Sequence, residues 1–230
     1  MPRPKKPEER NRIKNVAFEV LANKGFEETT FADIAKEANI TKSLVQYYFP
    51  KKEQFLSEFI QKSLSIVQEM VENDKDLHLT NSVEKLYAVG FAQFYFALFN
   101  DKMKYIAMDI LRDRATTKQV TDIAVDWIYN NTNLIPRDEL QAGPNYKEIE
   151  QKVYKTCVFV IGGALDYIYK CLLDDDEIDT DFLSDIGILA FQPFYDTLNE
   201  DISEIDMRNQ VSDEWIDAHR KEYNRKLFKV

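Results

Sequence analysis

The sequence predicts an all-α protein: an N-terminal three-helix head with a helix-turn-helix, then a larger helical body. Three observations carry this. Apolar residues recur at i, i+3, i+4 and i+7 in nearly every segment between breakers. Glycine and proline number only 6 and 7 in 230 residues, too few for the turns of an all-β chain. Hydrophobic residues make up 44% of the chain, which excludes a disordered protein and suffices for a sizeable core.

Residues 1–7 (MPRPKKP) read as a basic, proline-rich arm. A first helix is predicted over about 8–24, on the stripe Ile13, Val16, Ala17, Val20 and Leu21, with Gly25 as the terminating glycine. Thr30, with Asp33 three residues on, resembles a capping box for a short second helix, FADIAKEA. Asn39 supplies the turn, because asparagine tolerates the left-handed conformation. Thr41 is the N-cap candidate for a third helix, KSLVQYYF, which Pro50 ends. Two short helices joined by about three residues form the helix-turn-helix pattern.

The body follows in six more predicted helices and a terminal one. Helix four, about 51–73, carries Phe55, Leu56, Phe59, Ile60, Leu64 and Val67 at helical spacing. Helix five is expected over 82–100, helix six over 102–115 and helix seven over 117–131. Helix eight, 146–173, is the most apolar and holds Gly162-Gly163 at its middle. Each glycine inside a helix costs about 1 kcal/mol against alanine, and close approach of another helix is the expected compensation. Helix nine is expected over 181–198, with a kink at Pro193, and a last helix over 203–228. The domains are set at 1–50 for the head and 51–230 for the body.

Charge is uneven along the chain. The whole carries −10. Residues 1–62 hold 12 Lys/Arg against 9 Asp/Glu, whereas residues 63–211 hold 13 against 27. A basic head can meet a polyanion that the acidic body repels. Cys157 and Cys171 fall 14 residues apart on one predicted helix, roughly 21 Å at the helical rise, so they cannot pair with each other. They read as buried thiols of a reducing compartment. No run of 18 apolar residues and no signal-peptide core are seen, so the expected location is cytoplasmic, with no membrane partner.

Residues 17–56 (AFEVLANKGFEETTFADIAKEANITKSLVQYYFPKKEQFL) resemble the tetracycline-repressor (TetR) family of bacterial transcriptional regulators. The aromatic pair Tyr47-Tyr48, then Phe49, then Lys52-Glu53 follow the family pattern in order and spacing. Asn39 stands where the family usually has glycine, and Gln46 where it usually has tyrosine. The resemblance covers only about the first 60 residues.

A recognition helix must reach base edges in a groove about 12 Å wide. The exposed face of the third helix offers Lys42, Ser43, Gln46 and Tyr47. Its N-terminus, capped by Thr41, suits a phosphate, as do Lys51 and Lys52 at the next helix start. The resemblance implies Thr30, Tyr48 and Lys52 on backbone phosphates, and Lys42, Ser43, Gln46 and Tyr47 nearest the bases.

The resemblance also implies a body that dimerises through its last long helices and binds a small effector. The expected interface involves Val158, Ile161, Gly162, Leu165, Ile168, Ile186, Leu189, Phe191 and Phe194. A two-fold dimer would double the contact with a pseudo-palindromic DNA operator. The stretch 87–108 is dense in soft and aromatic side chains, and the expected effector site comprises Phe91, Phe94, Tyr95, Phe99, Met103, Met108, Trp127, Tyr154 and Phe159. That lining suits a small hydrophobic or aromatic molecule, with Asp109, Asp126 or Asp166 available to balance a cationic one. Core packing explains the same stripe.

No pattern for a catalytic nucleophile, metal site or cofactor occurs, so neither an enzyme nor a cofactor is expected. The alternative is a helical protein-interaction or small-molecule sensor module that does not use its helix-turn-helix for specific DNA binding.

Overall fold

The computed structural model describes residues 6–79, 82–98, 103–131, 146–195 and 211–228, and these form ten helices without a strand. They are α1 (Pro7–Lys24), α2 (Phe31–Glu37), α3 (Lys42–Tyr48), α4 (Glu53–Asn73), α5 (Ser82–Leu98), α6 (Lys104–Arg112), α7 (Arg114–Asn131), α8 (Tyr146–Asp174), α9 (Thr180–Tyr195) and α10 (Asp213–Phe228).

The head is assembled by its caps. Gly25 takes φ 84° and closes α1 with an N–H bond to the Leu21 carbonyl at 2.8 Å. Thr30 and Asp33 form the reciprocal capping box at the start of α2. Asn39 sits at φ 53°, and the Ile40 N–H reaches back to the Ala35 carbonyl at 2.9 Å. That is the left-handed helix ending expected of the turn. Thr41 Oγ1 then accepts the Leu44 N–H at 3.2 Å to open α3.

The core runs unbroken from head to body along α4. Phe55 meets Phe31 and Phe49, and Phe59 meets Phe18 edge-on at 5.0 Å. Further along, α4 packs against α5, α7 and α10. On α10, Tyr223, Leu227 and Phe228 are fully buried, with Tyr223 stacked on Phe96. Lys62 of α4 donates to the Leu227 carbonyl at 2.6 Å, satisfying one of the acceptors a helix end leaves open. Arg10 of α1 forms a two-pronged ion pair with Glu58 of α4 while lying over the Phe49 ring. α1 also contacts α6 and α10.

Several expected boundaries shift for local reasons. The break between the sixth and seventh helices falls at Asp113, whose Oδ2 accepts both the N–H and the hydroxyl of Thr116. A capping aspartate, not the following alanine-threonine run, sets the junction. The last helix begins at Asp213, behind Ser212, whose carbonyl and hydroxyl take the Ile216 and Trp215 N–H groups. Residues 203–210 lie outside the described residues, as do 1–5, 99–102 and 196–200. Pro193 lies within α9.

α8 and α9 pack together and present an apolar outer face. Tyr154, Val158, Phe159, Leu173, Phe182, Ile186 and Leu189 are exposed, Phe159 to 80% and Leu189 to 60%. By length and composition alone, Glu150–Asp174 could cross a membrane, a property the sequence reading did not anticipate. One face of that segment is nevertheless packed: Val153, Cys157, Ile168 and Cys171 are buried against the protein. A Cβ added at Gly162 or Gly163 would meet nothing within 4 Å. Close packing within the chain therefore does not compensate these two glycines.

Candidate nucleic-acid interface and ligand cavity

The short α3 is held from below and open above. Val45, Tyr48 and Phe49 are buried, Leu44 is half-buried, and Thr41, Lys42, Ser43 and Gln46 are exposed together. An i, i+3, i+4 helix must show one face if it buries the other. Tyr47 is half-buried and meets the Tyr48 ring at 5.3 Å. Tyr48 is a packing residue whose hydroxyl accepts the Lys6 backbone N–H at 3.2 Å, tying the start of α1 to the end of α3.

Lys52 is the clearest departure from expectation. Its ammonium donates to the Phe26 carbonyl at 2.8 Å and the Glu27 carbonyl at 3.1 Å, over the Phe26 ring. It closes the loop between α1 and α2, whereas neighbouring Lys51 stands exposed. Thr30 is exposed at the α2 N-terminus, with its hydroxyl shared with Asp33. The Lys24 ammonium and the Thr30 hydroxyl and N–H hold the Asp33 carboxyl well below the usual carboxylate range.

A cavity of about 260 Å³ lies in the body, among α4, α5, α6, α7, α8 and α9. Phe91, Phe94, Tyr95, Met103 and Trp127 line it, joined by Ile60 and Leu64 of α4 and by Ile106 and Ile110 of α6. Trp127 is fixed by its indole N–H on Gln68 Oε1 at 2.9 Å. Tyr95 and Thr180, whose hydroxyls are 3.1 Å apart, also border a second, polar cleft lined by Met108, Asp176, Glu177, Asp213, Asp217 and Arg220. Among the described residues no group of histidine, cysteine and carboxylate side chains could hold a metal ion.

Residues 13–59 match the family described as bacterial regulatory proteins, tetR family. The head belongs to the TetR family. No curated protein matches the chain. Similar solved structures include a tetR-family transcriptional regulator from Streptomyces coelicolor, at 16% identity over 96% of this chain and 90% of that one, with TM-score 0.48. The fatty acid degradation regulator FadR from Bacillus halodurans is 18% identical over 82% and 97%, with TM-score 0.45. The transcriptional regulator FadR from Bacillus subtilis, solved in complex with stearoyl-CoA, is 17% identical over 80% and 96%, with TM-score 0.45.

Behind this TetR-family head, the expected effector residues divide. Five of the nine named aromatics and methionines line the cavity. Met108 lines only the polar cleft, Phe99 lies outside the described residues, and Tyr154 and Phe159 face outward from α8. The expected interface divides too. Ile161, Leu165 and Ile168 turn into the cavity, leaving Val158, Ile186 and Leu189 exposed, while the side chains of Phe191 and Phe194 lie outside the described residues. α8 is apolar on both faces, so spacing alone could not tell inner from outer.

The three aspartates proposed to balance a cation are also elsewhere. Asp166 pairs with Arg114 on the surface, Asp126 is exposed, and Asp109 accepts the Glu27 N–H at 3.1 Å. The sequence reading missed Asp109 as a link to the TetR-family head, and Ser63 and Gln93 as polar cavity residues. Ser63 and Gln93 lie between the apolar positions of their helices, which was the available signal.

Proposed function

We propose that the chain is a homodimeric transcriptional regulator that binds a pseudo-palindromic DNA operator and is released from it by a small hydrophobic effector. The observation that carries the reading is α3: Thr41, Lys42, Ser43 and Gln46 share one exposed face on a head whose opposite side is fully packed. Lys42 and the α3 N-terminus suit phosphate, and Gln46 can pair two-fold with adenine.

The exposed apolar face of α8 and α9 supports association of two copies. Contiguous apolar exposure of this kind marks a partner surface, and burying it against a second copy places two heads on one duplex. Gly162 and Gly163 lie on this helix with space around them, which permits close helix approach across such an interface.

The cavity supports effector control. α4 lines it with Ile60 and Leu64 and enters the head with Phe55. α6 lines it with Ile106 and Ile110 and reaches the head through Asp109. A molecule that fills the cavity only when these helices shift favours the non-binding spacing of the two heads by differential affinity.

The test is selection of bound sequences from a random duplex pool at two salt concentrations. A recovered pseudo-palindrome with salt-weakened affinity is expected. Weak retention without a motif would instead favour a helical sensor or interaction module.

A further inference from the structure

The described walls of the cavity carry no charge. Among the described lining residues there is no lysine, arginine, histidine, aspartate or glutamate, although 30% of the chain is charged. An ion moved into such a wall sheds its hydration without gaining a counter-charge.

Its hydrogen-bonding groups are unequally committed. The Trp127 N–H is held by Gln68, and the Tyr95 and Thr180 hydroxyls hold each other. Gln93 differs. Its amide oxygen and nitrogen lie 3.0 and 2.9 Å from one atom, Ser63 Oγ, which also bonds the buried Tyr223 hydroxyl at 2.7 Å. A hydroxyl has one proton and two lone pairs, whereas the amide has two N–H groups and two lone pairs. Ser63 therefore cannot satisfy Gln93, and among the described residues the amide has no other polar partner. Donor and acceptor capacity is left at the cavity wall.

We propose that the cavity takes an uncharged, largely apolar molecule bearing one hydrogen-bonding group, such as an alcohol, ester or amide. Gln93, steadied by Ser63, is the residue that reads that group. This rests on the reading of the cavity as the effector site.

The test is calorimetric titration of the full chain with four probes that share one ring system: naphthalene, 2-naphthol, 2-naphthoate and the 2-naphthyltrimethylammonium ion. 2-Naphthol is expected to bind about tenfold more tightly than naphthalene, the worth of one hydrogen bond. Both ions are expected to bind at least about 100-fold more weakly than 2-naphthol. Gln93→Leu should remove the advantage of 2-naphthol over naphthalene when both are measured on the same variant, and naphthalene binding by that variant shows that it is folded. Gln93→Met serves if the leucine variant does not fold.

An ion binding as tightly as 2-naphthol, or an advantage of 2-naphthol that survives both substitutions, would overturn the proposal. Failure of both neutral probes to bind would overturn it together with the effector-site reading. Binding in the expected order without release of the selected duplex would support the assignment of Gln93 and sink only the regulatory reading.

Discussion

Asp109 accepts the backbone N–H of Glu27 at 3.1 Å, so the helix that forms one wall of the cavity also holds the loop between α1 and α2. Asp109 is itself buried, to 9% exposure. Asp109→Ala leaves that N–H without its acceptor and should cost about 1–2 kcal/mol in chemical denaturation. It should also shrink the ratio of DNA affinities measured without and with a cavity ligand. An unchanged ratio would route the coupling through α4 alone.

On the recognition face, Lys42→Ala should weaken DNA binding and reduce the dependence of log affinity on log salt by about one unit. Its stability should stay within about 0.5 kcal/mol, because the side chain is exposed. Lys52→Met should do the reverse. Losing the bonds to Phe26 and Glu27 should lower stability by about 1 kcal/mol, with the salt slope untouched. A lower slope for Lys52→Met would show that its ammonium leaves the loop for phosphate in the complex.

Phe159→Glu and Leu189→Glu place charge on the outer face of α8 and α9, where both side chains are exposed in the single chain. Sedimentation velocity should show a shift to monomer at concentrations where the parent chain is dimeric, with helix content unchanged by circular dichroism. A parent chain already monomeric, or variants still dimeric, would move the interface elsewhere.

Stability should decline in alkali. Burial pushes the Cys157 thiol from 9.0 up to about 12, and pushes the Tyr223 phenol upward despite its Ser63 hydrogen bond. Both groups stay protonated in the fold while the unfolded chain begins to release their protons. Their contribution is complete below about pH 9 and is lost as pH rises toward 12. The urea midpoint should fall across this range, and Cys157→Ala should flatten the decline. A midpoint constant from pH 8 to 11 would contradict this.

The head was legible because its signals are local. Gly25, the Thr30–Asp33 box, Asn39 and Thr41 each fix a backbone feature within three or four residues, and all take the expected roles. The body was legible in its helices but less so in their faces. Phe91 and Phe159 are both apolar residues on helices, yet one lines the cavity and the other stands 80% exposed. That difference depends on which helix packs opposite, information that residues far apart in the chain supply. Lys52 shows the same limit: its partners at Phe26 and Glu27 are reached only after the chain has turned back on itself.

The placement of Trp127 gives the protein an optical property. The chain holds two tryptophans. One forms part of the cavity wall with its N–H fixed on Gln68, and the other, Trp215, stacks on His219 at 4.1 Å, away from the cavity. The two indoles thus emit from different surroundings, and of the two only Trp127 stands in the wall that a bound molecule would touch. Occupancy can be followed by the intrinsic fluorescence of the unlabelled chain, with the Trp127 signal isolated by a Trp215→Phe variant.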